Sequence, residues 1–153
     1  MKKILVIAYN LHIGGIQKSL LNLLNYLCND YDITLLLFSN KGEYLSEIPK
    51  RVRILFPNKK YFVVGMSQKE LLKESFLLFL KRLVLKAKIN VFGREKTLTK
   101  FLKKFTIPGE YDACISFQQN GPGKSMLFGA NYCSLKVNSK IKVAFLHSDF
   151  EKA

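Results

Sequence analysis

Tryptophan is absent from this chain, and histidine occurs only at His12 and His147. Two histidines, with no pair of carboxylates at ligand spacing, make a poor metal centre, so no metal is expected. The cysteines, Cys28, Cys114 and Cys133, are too few and too scattered for a zinc motif or a disulfide framework. They read as reduced, buried thiols of a cytosolic protein. No apolar run approaches the roughly 18–20 residues that a bilayer-spanning helix needs. The opening "MKKILVIAYNL" has a basic start like a secretory signal, but its apolar core is short. Tyr9 and Asn10 interrupt it and no A-x-A site follows, so it reads as a buried strand. There is no G-x-x-x-x-G-K-[ST], which excludes a P-loop, and no G-x-G-x-x-G. The second apolar run ends in "FSNKG", without the acidic residue that would hold a ribose, so nicotinamide and ATP chemistry are not expected. Acidic residues are also scarce: 11 against 25 basic ones, a formal net charge of +14.

What is present is the material of a globular α/β domain. The 153 residues are 48% hydrophobic, with 9 glycines and 4 prolines, enough to bury a real core. "KKILVIAY" and "YDITLLLFS" are continuous β-type runs, as in parallel strands covered on both faces. Between them Ile16, Leu20, Leu23, Leu24 and Leu27 recur at helical spacing. Strand, helix and strand make a right-handed βαβ unit. "RVRILF" is a short third strand, "YDACISF" a fourth and "KVAFLH" a fifth. A single long helix is expected over residues 67–89, opened by a Ser67–Glu70 capping box, and a second amphipathic one over Gly93 to Phe105. "QQNGPGKSMLFGANY" reads as a polar turn entering another helix. The fold class is therefore α/β: a Rossmann-like open, mostly parallel sheet with helices on both faces.

Gly14 and Gly15 stand at the first strand-to-helix junction. A helix start presents backbone N–H groups beside the positive end of the dipole, and glycines let an anion come close to them. A tight turn that packs the helix on the sheet is the competing reading. Three stretches carry a resemblance. Gly-Gly, then Gln17 and the Leu-rich "SLLNLLNYL", resembles the N-terminal domain of GT-B glycosyltransferases, closest to retaining family 4 and its relatives, where "GG-x-E" precedes such a helix. Gln17 stands where that family has Glu. "PGEYDACISF" is similar to the family's "x-x-Y-D-V-V-I-S" strand, and "KVAFLHSDF" to the "K-x-x-x-W-x-H-x-D" strand end of capsule and surface-polysaccharide enzymes.

That resemblance implies the first of two Rossmann-like domains, residues 1–153 being the acceptor-side half, with a C-terminal donor-binding domain absent from this chain. A short five-stranded domain is the alternative. It implies transfer of a sugar, with retention, from a UDP- or GDP-linked donor to a glycan or lipid-linked acceptor in surface-polysaccharide synthesis. No cofactor beyond the nucleotide-sugar substrate is implied. Gly14 and Gly15 would line the donor diphosphate and His147 would sit near the reacting sugar. His12, Gln17 and Asp149 are further candidates for the cleft. The isolated half is expected to fold without turning over.

The positive charge is concentrated. Lys41 to Lys104 holds 17 basic and 5 acidic residues, an excess that speaks about partners. Within it Lys69, Lys73, Lys81, Arg82, Lys86 and Lys88 flank a wide apolar arc from Leu71 to Leu85, the make-up of a helix lying on an anionic membrane surface. A core helix with a solvated basic face fits the same letters. A cytoplasmic protein, peripheral on the inner face of the plasma membrane, follows from the first reading. A non-catalytic basic α/β module binding an anionic partner is the alternative to the enzyme. Nucleic acid is disfavoured as that partner: there is no RNP-like strand, helix-turn-helix spacing or zinc knuckle, and Phe76, Phe79, Phe101 and Phe105 fall at core-facing spacing.

Overall fold

The computed structural model describes residues 1–147. Five strands form one open sheet in the order β3-β2-β1-β4-β5, every pair parallel. They are β1 (Lys3–Ala8), β2 (Asp32–Leu37), β3 (Arg53–Leu55), β4 (Glu110–Ser116) and β5 (Asn138–Ala144). The helices are α1 (Gly15–Leu27), α2 (Gln68–Glu74), α3 (Phe76–Phe92), α4 (Arg94–Leu102) and α5 (Ala130–Leu135), with 3-10 turns at Glu43–Glu47 and Lys59–Val64.

Past Lys3 and Asp32 at their starts, the central strands β1 and β2 are apolar except for the buried Thr34, because both of their faces are covered. Ile4, Val6 and Ala8 of β1, with Ile33, Leu35 and Leu37 of β2, meet Leu20 and Leu24 of α1. Leu5, Ile7, Leu36 and Cys114 meet Val63, Leu71, Leu85, Leu98 and Cys133 on the other side. Helices thus lie on both faces of a Rossmann-like α/β sheet. The three cysteines are free and buried, and burial pushes the thiol of Cys114 up to about 11 and that of Cys133 to about 12.

The long helix expected over 67–89 is two helices. Ser75 (φ −169°, ψ 125°) breaks it, still donating its N–H to Leu71 O while the chain leaves in extended conformation to start α3. The Ser67–Glu70 capping box is present. β5 begins at Asn138, four residues before the expected Lys142, and His147 lies three residues beyond its end. Phe76 is also displaced from its expected place, being exposed instead of core-facing. Among the described residues no helix is long and apolar enough to cross a membrane.

Basic side chains hold several connections together. Lys136 Nζ donates to the carbonyls of Leu102 (3.1 Å), Lys103 (2.7 Å) and Phe105, closing the C-terminal end of α4 where a cation suits the dipole. Arg94 donates to Gly121 O, and Arg82 to Val63 O (2.9 Å) and Met66 O.

Candidate crevice at the strand ends

The connection after β1 runs along one face of the sheet through α1, and that after β4 along the other through α5. β1 and β4 are neighbours, so the chain parts between them, and the space beyond their carboxyl ends is where a sheet of this topology places a ligand crevice. Polar residues line this point. Gln118 Oε1 accepts from Tyr9 N–H (2.5 Å), bridging the two strand ends. The Tyr9 hydroxyl donates to Asn120 Oδ1 (3.1 Å) and accepts from Ala130 N–H (3.0 Å). Burial raises the Tyr9 phenol well above its ordinary value, so the hydroxyl stays neutral and keeps its proton for Asn120. Asn10 donates to Gly65 O (3.1 Å) and accepts from the Gln17 amide (3.4 Å).

The glycine pair sits at the rim. Gly14 caps α1 with φ 178°, extended backbone open to any residue, and no side chain caps the helix. A Cβ on Gly15 would have nothing within 4 Å, and one on Gly14 would meet only the Gln17 amide end. The left-handed glycines are elsewhere, at Gly42, Gly93, Gly109, Gly123 and Gly129. The tight-turn reading of the pair therefore finds no steric reason in the backbone. Helix geometry supplies the N–H groups of Gly15, Ile16 and Gln17 no internal acceptor, and no side chain caps them. Gly65, by contrast, is required: a Cβ there would come to 2.6 Å from Tyr9 O.

His12 is held between two carboxylates, Nδ1 3.1 Å from Glu43 and Nε2 2.9 Å from Glu70. Glu43 also accepts from Ile13 N–H (3.2 Å), just ahead of the glycines. Its carboxyl lies below the usual range, first through its own backbone N–H and then through His12. Burial works to raise Glu70, but hydrogen bonds from Ser67 and the charge of His12 outweigh it, and its carboxyl is lowered. His12 therefore clasps the loop after β1 to the start of α2. With both ring nitrogens facing carboxylates, it is positioned to hold these segments together.

His147 lies after β5, two strands from β1, which is about 10 Å at ordinary strand spacing. Its Nε2–H donates to Phe117 O (2.6 Å), so Nδ1 is the ring nitrogen turned away from that carbonyl, and its backbone N–H donates to Gln119 Oε1 (3.0 Å). The ring packs against Phe117, centroids 4.9 Å apart. Asp149 lies outside the described residues. The fold thus brings His12, Gly14, Gly15 and Gln17 together at one end of the crevice, with His147 toward the β5 side. Sequence reading passed over Tyr9, Asn10, Gln118 and Asn120. The run "QQN" directly after β4 was the available signal, since consecutive amides at a strand's carboxyl end fall in the crevice by topology.

Among known proteins, no family model and no curated protein matches this chain.

Of the basic patch, Lys69, Lys73, Lys81 and Lys88 face solvent and Lys86 is half-buried. Arg82 does not belong to the patch: its guanidinium turns inward onto the Val63 and Met66 carbonyls. That choice satisfies carbonyls at the end of the Lys59–Val64 turn, which no helix continues.

Proposed function

We propose that this chain is the acceptor-side half of a GT-B-type glycosyltransferase. Its crevice receives the diphosphate of a UDP- or GDP-linked sugar at Gly14 and Gly15. The observation that carries the reading is the open helix start beside the β1/β4 parting, where the fold itself gives no reason for two glycines. Uncovered N–H groups and the helix dipole favour an anion there. Amides stand near it at Gln17, Gln118 and Asn120; the oxygens of the last two are held by Tyr9, and Gln17 donates to Asn10, so a sugar hydroxyl would meet the remaining side of each amide. His147, with Nδ1 turned away from the Phe117 carbonyl, is the group nearest in kind to a proton carrier on the β5 side. The transfer itself needs a second, donor-binding domain, so the 153 residues alone bind weakly and do not turn over.

The test is calorimetry with UDP and GDP on the chain and on its Gly15→Glu variant. The variant adds a negative charge where the phosphate would sit, in space that the fold leaves empty. Expected is weak diphosphate binding that the variant loses while staying folded. No heat with either nucleotide, or unchanged binding by the variant, overturns the reading. Multiple turnovers of a nucleotide sugar by the chain alone would overturn the half-site assignment. The second reading, a non-catalytic module for an anionic partner, is favoured instead if nucleotide sugars leave the thermal midpoint of a two-domain form unmoved.

A further inference from the structure

An ordinary surface helix turns its apolar side inward and its charges out. α3 does not. Its inward side is made by Leu85 and Ile89, buried, with Leu78 half-buried. Its outward side is also apolar: Phe76 is 61% exposed, Leu77 76%, Leu80 39%, Val84 53% and Val91 73%. Phe76 and Leu77 are adjacent and the others follow at three, four and seven residues, which keeps all five within about 100° of the helix circumference, one ridge along a helix about 25 Å long. Lysines border it, Lys81 and Lys88 on one flank and Lys86 on the other. Leu72, Lys69 and Lys73 extend the same make-up on α2.

Negative charge is missing from this side. α3 contains no acidic residue. The two acids of α2 are engaged elsewhere: Glu70 by His12 and the Ser67 cap, and Glu74 by Lys59 (2.7 Å) and Lys41 (3.8 Å). We propose that α3, with the outward side of α2, docks this protein on an anionic lipid bilayer. The ridge enters the boundary between headgroups and acyl chains, and the lysines reach lipid phosphates. A continuous exposed apolar ridge of this size marks an interaction surface. The charge decides which one. A second copy would set lysine against lysine with no acid between them, whereas lysine stems lie along apolar surface and raise their ammonium groups to headgroup level. Arg82, turned inward onto Val63 and Met66, fixes the helix to the protein body so that the ridge stays outward. The proposal does not depend on what the crevice binds.

The experiment is co-sedimentation with vesicles of phosphatidylcholine alone and of phosphatidylcholine with phosphatidylglycerol. Leu77→Ser/Val84→Ser and Lys81→Glu/Lys88→Glu are compared with the unmodified chain, and circular dichroism establishes that each variant is folded. All four positions are exposed, so neither pair should disturb the core. Expected is binding only to the anionic vesicles, weakened about tenfold or more by the apolar pair and by the charge reversals. Failure of the unmodified chain to sediment with anionic vesicles at low salt overturns the proposal. So does full binding by the serine variant, which would make the attachment purely electrostatic. Sedimentation velocity supplies the last outcome: a dimer that Leu77→Ser/Val84→Ser converts to monomer would assign the ridge to a second copy and likewise overturn it.

Discussion

The Tyr9 hydroxyl, which donates to Asn120 and accepts from Ala130, is the polar atom on which the β1/β4 parting is built. It lies in the interior with both bonds made, so removing it leaves the Ala130 N–H without its acceptor, while Asn120 Oδ1 keeps only the Gly129 N–H (3.0 Å). Tyr9→Phe should cost about 1–3 kcal/mol, read as a lower urea midpoint, with the aromatic packing against Phe38 unchanged. Gly15 should behave in the opposite sense. Replacing a first-turn glycine by Glu removes excess unfolded-chain entropy and adds a carboxylate at the dipole's positive end, a gain of about 1 kcal/mol. A Gly15→Glu protein that is more stable yet no longer binds diphosphate would separate fold from function at a single residue. A less stable variant would show that the open space is needed by the fold.

At the scale of elements, α2 is short, and its position depends on its first turn. The capping box satisfies two backbone donors reciprocally, and Glu70 then turns to His12. Glu70 and Glu43 both have folded-state values below their ordinary 4.5. The sign follows: their contribution is complete above that pH and is lost as pH falls through the lowered folded values. Urea midpoints should therefore drop as pH falls below about 5, through the lowered folded values, and Glu70→Gln should flatten that drop. An unchanged pH profile in the variant would show that the clasp contributes nothing to stability. β5 stands at the other extreme. Ile141 and Val143 are exposed on it, while Ala113 and Ile115, their partners in β4, are only half-buried. Sheet edges with few buried contacts open locally at low cost.

Across the whole molecule, protection should follow this layering. Amide exchange is expected slowest in β1 and β2, whose residues are buried nearly throughout, and fastest among the strands in β5. Equal protection of β5 and β1 would contradict that order. The charge of +14 divides in the same way. Arg82, Arg94 and Lys136 spend their charge on backbone carbonyls inside the protein, and Lys41 and Lys59 on Glu74. Of the α2–α3 lysines, Lys69, Lys73 and Lys88 are exposed to whatever lies outside, while the Lys81 ammonium, also exposed, sits over the Phe101 ring (5.7 Å).

The sequence by itself determined the class of fold. Short apolar runs rich in Ile, Leu and Val and bounded by turn residues read as strands covered on both faces, and their alternation with helical periods points to a parallel α/β sheet. It also determined the start of α2, because a capping box is a local device. The sequence could not show that Ser75 divides one long periodic run, since the spacing of apolar residues continues across it. Nor could it choose the outward side of α3, which is apolar nearly all round; only contact with the Lys59–Val64 turn and α4 decides which leucines are buried. The crevice was half legible: the glycine pair was visible, but Tyr9, Gln118 and Asn120 lie more than a hundred residues apart in the chain for the first pair and meet only because β1 and β4 are neighbours in the sheet. Long-range pairing of this kind is set by the packing of the whole sheet, which no local pattern records.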